Sequence, residues 1–154
     1  MTRTRKIVFG VVSGVLVCLL LIAGILVGAA TIGWRAAVRS GNAVAAIQHL
    51  KTIDLAQRQY YAAHARRFGT FADLVSEQLL DSRFNGDAPV VDGYVYQLTI
   101  SQQAANGSTY VLTANPLNSS TGRNHFYLDS TSDVIRVNSD RTASPHDPPV
   151  IYKP

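Results

Sequence analysis

Four histidines, His49, His64, His125 and His146, are the side chains here with the widest chemical reach. A metal centre needs ligands at short, regular spacing, and neither Cys-X-X-Cys nor His-Glu-X-X-His occurs. Cys18 is the single cysteine, so no intrachain disulfide is possible. No serine stands in a Gly-X-Ser-X-Gly setting, and no glycine loop has phosphate-cradling spacing. His49 is expected as a solvated helix residue, so that His49→Ala would do little. His64 is expected near a helix C-terminus, where its cation suits the dipole. Asp129-Ser130-Thr131-Ser132-Asp133 could offer two carboxylates to calcium, but it lacks a third nearby, and Asp, Ser and Thr favour turns on their own account. Tyr60, Tyr61, Tyr94, Tyr96, Tyr110 and Tyr127 could stack bases only beside a basic groove, so core packing is the favoured reading. The expectation is a non-enzymatic chain with no catalytic residue, metal, cofactor, small-molecule substrate or nucleic-acid partner.

The charge distribution supports that reading. The chain has 14 Lys plus Arg against 10 Asp plus Glu, and a pI near 9.5. Four of the basic residues are Arg3, Arg5, Lys6 and Arg35, which leaves ten of each sign over residues 36–154. The excess flanks a run of 28 uncharged residues, Ile7 to Trp34. At ~1.5 Å per residue that run is about 42 Å of helix, against a hydrocarbon core of roughly 30 Å. Residues 7–34 are therefore read as a transmembrane helix behind a basic cytoplasmic N-terminus, residues 1–6. Arg3, Arg5, Lys6, Trp34 and Arg35 are its interface anchors. A cleaved signal ending near Ala30 is the alternative, but the apolar core exceeds the roughly 7–15 residues of a secretory one. A lipoprotein centred on Cys18 is weaker, because Val17 precedes it. The expected location is the inner (cytoplasmic) membrane, single-pass, with the rest periplasmic or extracellular.

These groups must be carried by an exported domain, residues 35–137, and a polar, proline-rich tail, residues 138–154. Ala46, Leu50, Ile53, Gln57 and Tyr60 recur at spacings of three or four, which predicts an amphipathic helix continuing from the span. Gly41-Asn42 is its expected kink and Gly69 its end. Thr70 with Asp73 is a capping box opening a short second helix whose apolar side runs from Phe71 to Leu80. After Gly93 the period changes to two. Tyr94 to Ile100 and Tyr110 to Ala114 read as one hairpin turning at Asn106-Gly107-Ser108, and His125 to Leu128 with Val134 to Val137 as a second. The tail is expected either to add at a sheet edge or to stay free. Leu98, Ile100, Val111 and Ile135 are the expected sheet residues opposite the helix.

The run Ala45-Ala46-Ile47-Gln48-His49-Leu50-Lys51-Thr52-Ile53-Asp54-Leu55-Ala56-Gln57-Arg58-Gln59-Tyr60 resembles the start of the exported part of type IV pilins and type II secretion pseudopilins. Arg67-Phe68-Gly69-Thr70-Phe71-Ala72-Asp73-Leu74, Leu79-Leu80-Asp81 and Gly93-Tyr94 fit the same pattern. The resemblance implies an α+β fold, a long N-terminal helix (transmembrane half plus amphipathic half) packed on a small antiparallel sheet. It also implies a structural role, with self-association or other pilin-like subunits as partners. The chain departs from the family at the leader, where Val11 follows Gly10, and inside the span, where Val15 stands in the place of a glutamate. A monomeric, membrane-anchored binding module outside the cytoplasm is the alternative.

Overall fold

The structure is a computed structural model that describes residues 33–102 and 108–151 in full. Its elements are α1 (Arg3–Ala63), α2 (Phe71–Ser76), a short 3-10 turn (Ser82–Phe84), and strands β1 (Val90–Val91), β2 (Tyr94–Gln103), β3 (Gly107–Pro116), β4 (His125–Asp129) and β5 (Ser132–Asn138). The chain divides into two compact units, Met1–Ala37 and Val38–Pro154. In the first unit, Trp34 and Arg35 are exposed. Arg3, Arg5 and Lys6 lie outside the described residues, as does the expected span up to residue 32.

The transmembrane half of the expected fold is corrected here. Among the described residues no helix is long and apolar enough to cross a membrane. What the fold contains is one long helix and a five-stranded antiparallel sheet in the order β1-β2-β3-β4-β5.

Within the unit Val38–Pro154, one face of the sheet and the inner stripe of α1 enclose the core. Tyr94, Tyr96, Tyr110, Leu112, Ala114, Phe126 and Leu128 alternate along their strands and join Ala46, Leu50 and Ile53 in a single apolar cluster. The register Tyr96↔Ala114, Leu98↔Leu112 and Ala114↔Phe126 keeps these side chains on one face across three strands. Burying each Leu, Ile or Phe is worth roughly 1.5–3 kcal/mol, so this seam dominates the unit's stability.

Local chemistry fixes the element ends. The Asp73 N–H donates to the Thr70 hydroxyl at 3.2 Å and the Thr70 N–H donates to the Asp73 carboxylate at 2.8 Å, completing the capping box. The α2 helix stops at Ser76, short of Leu80, because Gln78 takes a φ of +60° and both Leu79 and Leu80 N–H groups return to the Leu74 carbonyl. α1 ends at Ala63 rather than Gly69, with Ala65 and Arg66 in the left-handed region at φ +50° and +63°. The helix runs through Gly41-Asn42 unbroken. Asp92 and Gly93, at φ +47° and +76°, form the two-residue turn joining β1 to β2, the geometry that Asp-Gly favours in hairpins.

The C-terminal segment adds to the sheet. Pro149 bridges Arg136 of β5 in antiparallel sense. Buried Asp147 anchors the approach, accepting from the Ser144 N–H and hydroxyl at 2.7 Å each and from Asn138 Nδ2 at 2.8 Å.

Candidate functional site: the helix–sheet seam

The chemistry of the Val38–Pro154 unit gathers along α1. Ala46, Leu50 and Ile53 are fully buried at the centre of the seam, and Gln57 continues their stripe one turn on. Tyr60 is half-buried beside them. Opposite, Ile135 is buried, and Leu98 and Ile100 are half-buried against the same cluster. Val111 is a correction. It is 36% exposed and lies between Thr99 and Asp129 in register, on the outer face of the sheet. Tyr110-Val111-Leu112 is uniformly apolar, so the sequence left its parity open. Tyr110 and Leu112 take the inner positions.

Polar ties flank the apolar stripe. The Gln57 side chain donates to the Gly69 carbonyl at 2.6 Å and accepts the Gly69 N–H at 3.0 Å, so both ends of a buried amide hold the chain after α1. Asp54 takes the hydroxyl of Tyr110 on β3 and pairs with Arg58, 3.0 Å away; Arg58 in turn reaches Asp133 at the start of β5. Burial first, and then this bond to Asp54, hold the Tyr110 hydroxyl far above the usual phenol range. Asn42 Nδ2 donates to the Thr121 carbonyl at 2.9 Å.

His49 overturns the solvated reading. Its Nδ1 lies 2.9 Å from the Tyr96 hydroxyl and its Nε2 3.5 Å from the Asp92 carboxylate. The ring meets Phe84 and Tyr96 edge-on at 5.3 and 5.8 Å. Burial lowers its pKa below 6.5, with Asp92 working in the opposite direction. No helical periodicity could reveal this, because the ring's neighbours come from the 3-10 turn, the β1–β2 turn and β2. The Asp92-Gly93 pair is the local signal in the sequence for that turn.

The other histidines stay apart. His64 stacks on Tyr60 at 3.8 Å and reaches Glu77 at 2.8 Å. The His125 Nδ1 sits 2.8 Å from Asn115 Oδ1, and burial lowers its pKa. His146 is exposed. Among the described residues no three His, Cys, Asp or Glu side chains stand close enough to share a metal ion. In the Asp129–Asp133 turn, Asp129 accepts from the Thr131 N–H at 2.8 Å and its hydroxyl at 2.6 Å, the signature of a side chain shaping its own turn.

Two open grooves border the seam. One, of about 530 Å³, runs between Ala43 and Ile47 of α1 and Phe126, Val137 and Val150, with Arg39 and Arg123 at its rim. The other, of about 400 Å³, lies between Phe71 at the start of α2 and Leu98 and Ile100 of β2. No family model, curated protein or solved structure matches the chain. Along α1, His49, Asp54 and Arg58 tie the helix to the sheet.

Proposed function

We propose that the chain is a structural subunit, held at a membrane by its N-terminal apolar stretch, serving a filament or secretion-type assembly, and not an enzyme. The observation that carries this reading is the seam itself. The run 45–60 that resembles pilins and pseudopilins places Ala46, Leu50, Ile53 and Gln57 against the sheet, and three of its polar members, His49, Asp54 and Arg58, make internal ties. Such an element works by position. The helix carries the sheet, and the surfaces left outside meet neighbouring copies or other pilin-like subunits. Residues 7–34 enter only through their uncharged sequence.

The test is electron microscopy of the native protein together with mass spectrometry of its N-terminus. Filaments are the expected result, and cleavage after Gly10 alongside them would support the pilin-like reading further. Monomers with an intact Met1, in membranes, would overturn it in favour of the second reading, an anchored module that binds a ligand or envelope component through its grooves. The rim arginines Arg39 and Arg123 beside an apolar wall are what favour that second reading.

A further inference from the structure

An antiparallel meander has two outer edges, and this sheet finishes them differently. Beyond β5 the C-terminal segment closes the ladder. The Val137 N–H donates to the Pro148 carbonyl at 2.9 Å, and the Val150 N–H to the Ile135 carbonyl at 2.8 Å. That pattern turns Pro149 outward, and proline has no N–H to offer a further strand.

At the opposite edge, β1 pairs only with Tyr94 and Val95, while β2 continues to Gln103. Two bonds fix the parity of β2. The Leu117 N–H donates to the Gly93 carbonyl at 2.9 Å, so in the register that follows the odd-numbered residues of β2 bond to β3. The Tyr96 N–H donates the other way, to the Pro89 carbonyl at 2.9 Å. The even-numbered residues therefore aim their main chain out of the sheet. Tyr94 and Tyr96 are taken up by β1 and Pro89. Among the described residues, nothing pairs with the main chain of Leu98, Ile100 and Gln102.

Sheets usually keep such edges apart with lysines, prolines, bulges or very short strands. Gln97-Leu98-Thr99-Ile100-Ser101-Gln102 has no charge and no proline, and its register with β3 runs without a shift. The groove that opens along this stretch is lined by Leu98 and Ile100 on one side and by Thr70, Phe71, Ala72, Gly86 and Asp87 on the other, so a partner strand would enter between them.

We propose that the β2 edge is the contact surface for a second copy of this chain, strand β2 pairing antiparallel with strand β2 about a twofold axis at Ile100. The stretch is self-complementary under that operation. Ile100 meets Ile100, Leu98 meets Gln102, and no charge is brought against its like. The outward N–H and carbonyl groups of all three residues are satisfied, and the two five-stranded sheets join into one continuous sheet. Leu98 and Ile100 of each copy extend the apolar wall of the other's groove. The inference rests on the Val38–Pro154 unit alone and is independent of the membrane and filament reading.

The register gives a specific test in the full-length chain, detergent-solubilised, with Cys18→Ser as background. Thr99 of one copy faces Ser101 of the other as a non-hydrogen-bonded pair, the closer of the two pair types. Both residues are exposed. Oxidising a mixture of Thr99→Cys and Ser101→Cys chains is expected to give a covalent dimer, whereas either variant alone gives little. Equal cross-linking in all three samples, or none in the mixture, would overturn the pairing. Gln102→Pro removes a donor the isolated unit does not use, and is expected to halve the mass seen by sedimentation. A dimer that survives that change would also overturn it.

Discussion

Tyr94 is fully buried, and its hydroxyl has no hydrogen-bond partner among the described residues. It is closed in by Gly122, where an added Cβ would lie 2.5 Å from that oxygen and 3.0 Å from Pro116. Gly122→Ala is therefore expected to cost about 1–3 kcal/mol through overpacking. Tyr94→Phe is expected to be neutral or stabilising, since it removes a buried polar atom that gains nothing, and it should relieve part of the Gly122→Ala penalty, the ring carbon Cζ at 2.9 Å staying in place. Denaturant melts of the four proteins in a double-mutant cycle check this; additive effects would show that the contact is not the cause. His49 belongs to the same scale. Its ring holds α1 to Tyr96 and Asp92, so His49→Ala is expected to cost on the order of 1–2 kcal/mol, against the silence its sequence position suggested. A melt unchanged from wild type would restore the solvated reading. Leu50 and Ile53 were legible because the helix period alone buries them. His49 was not, since its surroundings arrive from residues more than thirty positions away.

Elements with a local chemical cause could be read directly. Thr70 and Asp73 announce α2 because each satisfies the other's main chain, and the alternation from Tyr94 to Ile100 announces β2 because one face is buried. Thr70→Ala is expected to destabilise the unit by ~1 kcal/mol through the lost cap, with Thr70→Ser nearly neutral. Equal losses for the two would mean that Thr70 acts through packing instead. Elements set by tertiary contact escaped. The end of α1 fell six residues before Gly69, because Ala65 and Arg66 accept left-handed backbone in the chain reversal that the Gln57–Gly69 amide bonds hold. Strand β1 is only two residues long, too short for any period, and the closing of the β5 edge by Pro148, Pro149 and Val150 depends on a partner strand that no local pattern names. The membrane-crossing half of α1 was read from composition alone, and the described residues contain no such helix.

For the whole molecule, hydrogen bonding and burial of ionisable groups limit stability from both directions of pH. Hydrogen bonds from Ser144 and Asn138 hold the Asp147 carboxyl down at about 2, below its ordinary 3.8. A depressed carboxylate contributes stability above its unfolded pKa and loses it as pH falls through the folded value, so the C-terminal edge should loosen between about pH 4 and 2. His49 and His125 are lowered by burial, and their contribution begins to fade once pH drops below 6.5. On the alkaline side, burial pushes Tyr94 up to about 12 and raises Tyr96 and Tyr110 further. A phenol raised in the folded state keeps its contribution below 10 and loses it as pH climbs towards the folded value, because only the unfolded chain then ionises freely. Thermal melting against pH should therefore plateau between about 7 and 10 and fall on either side. Tyrosinate absorbance separates the cause of the alkaline limb. If burial sets it, part of the phenolate signal appears only together with unfolding. Tyr94→Phe, by removing one such group, should then raise the melting temperature more at pH 11 than at pH 8. A gain of the same size at both values would place the alkaline limb in Tyr96 and Tyr110, whose hydroxyls meet His49 and Asp54 across the seam.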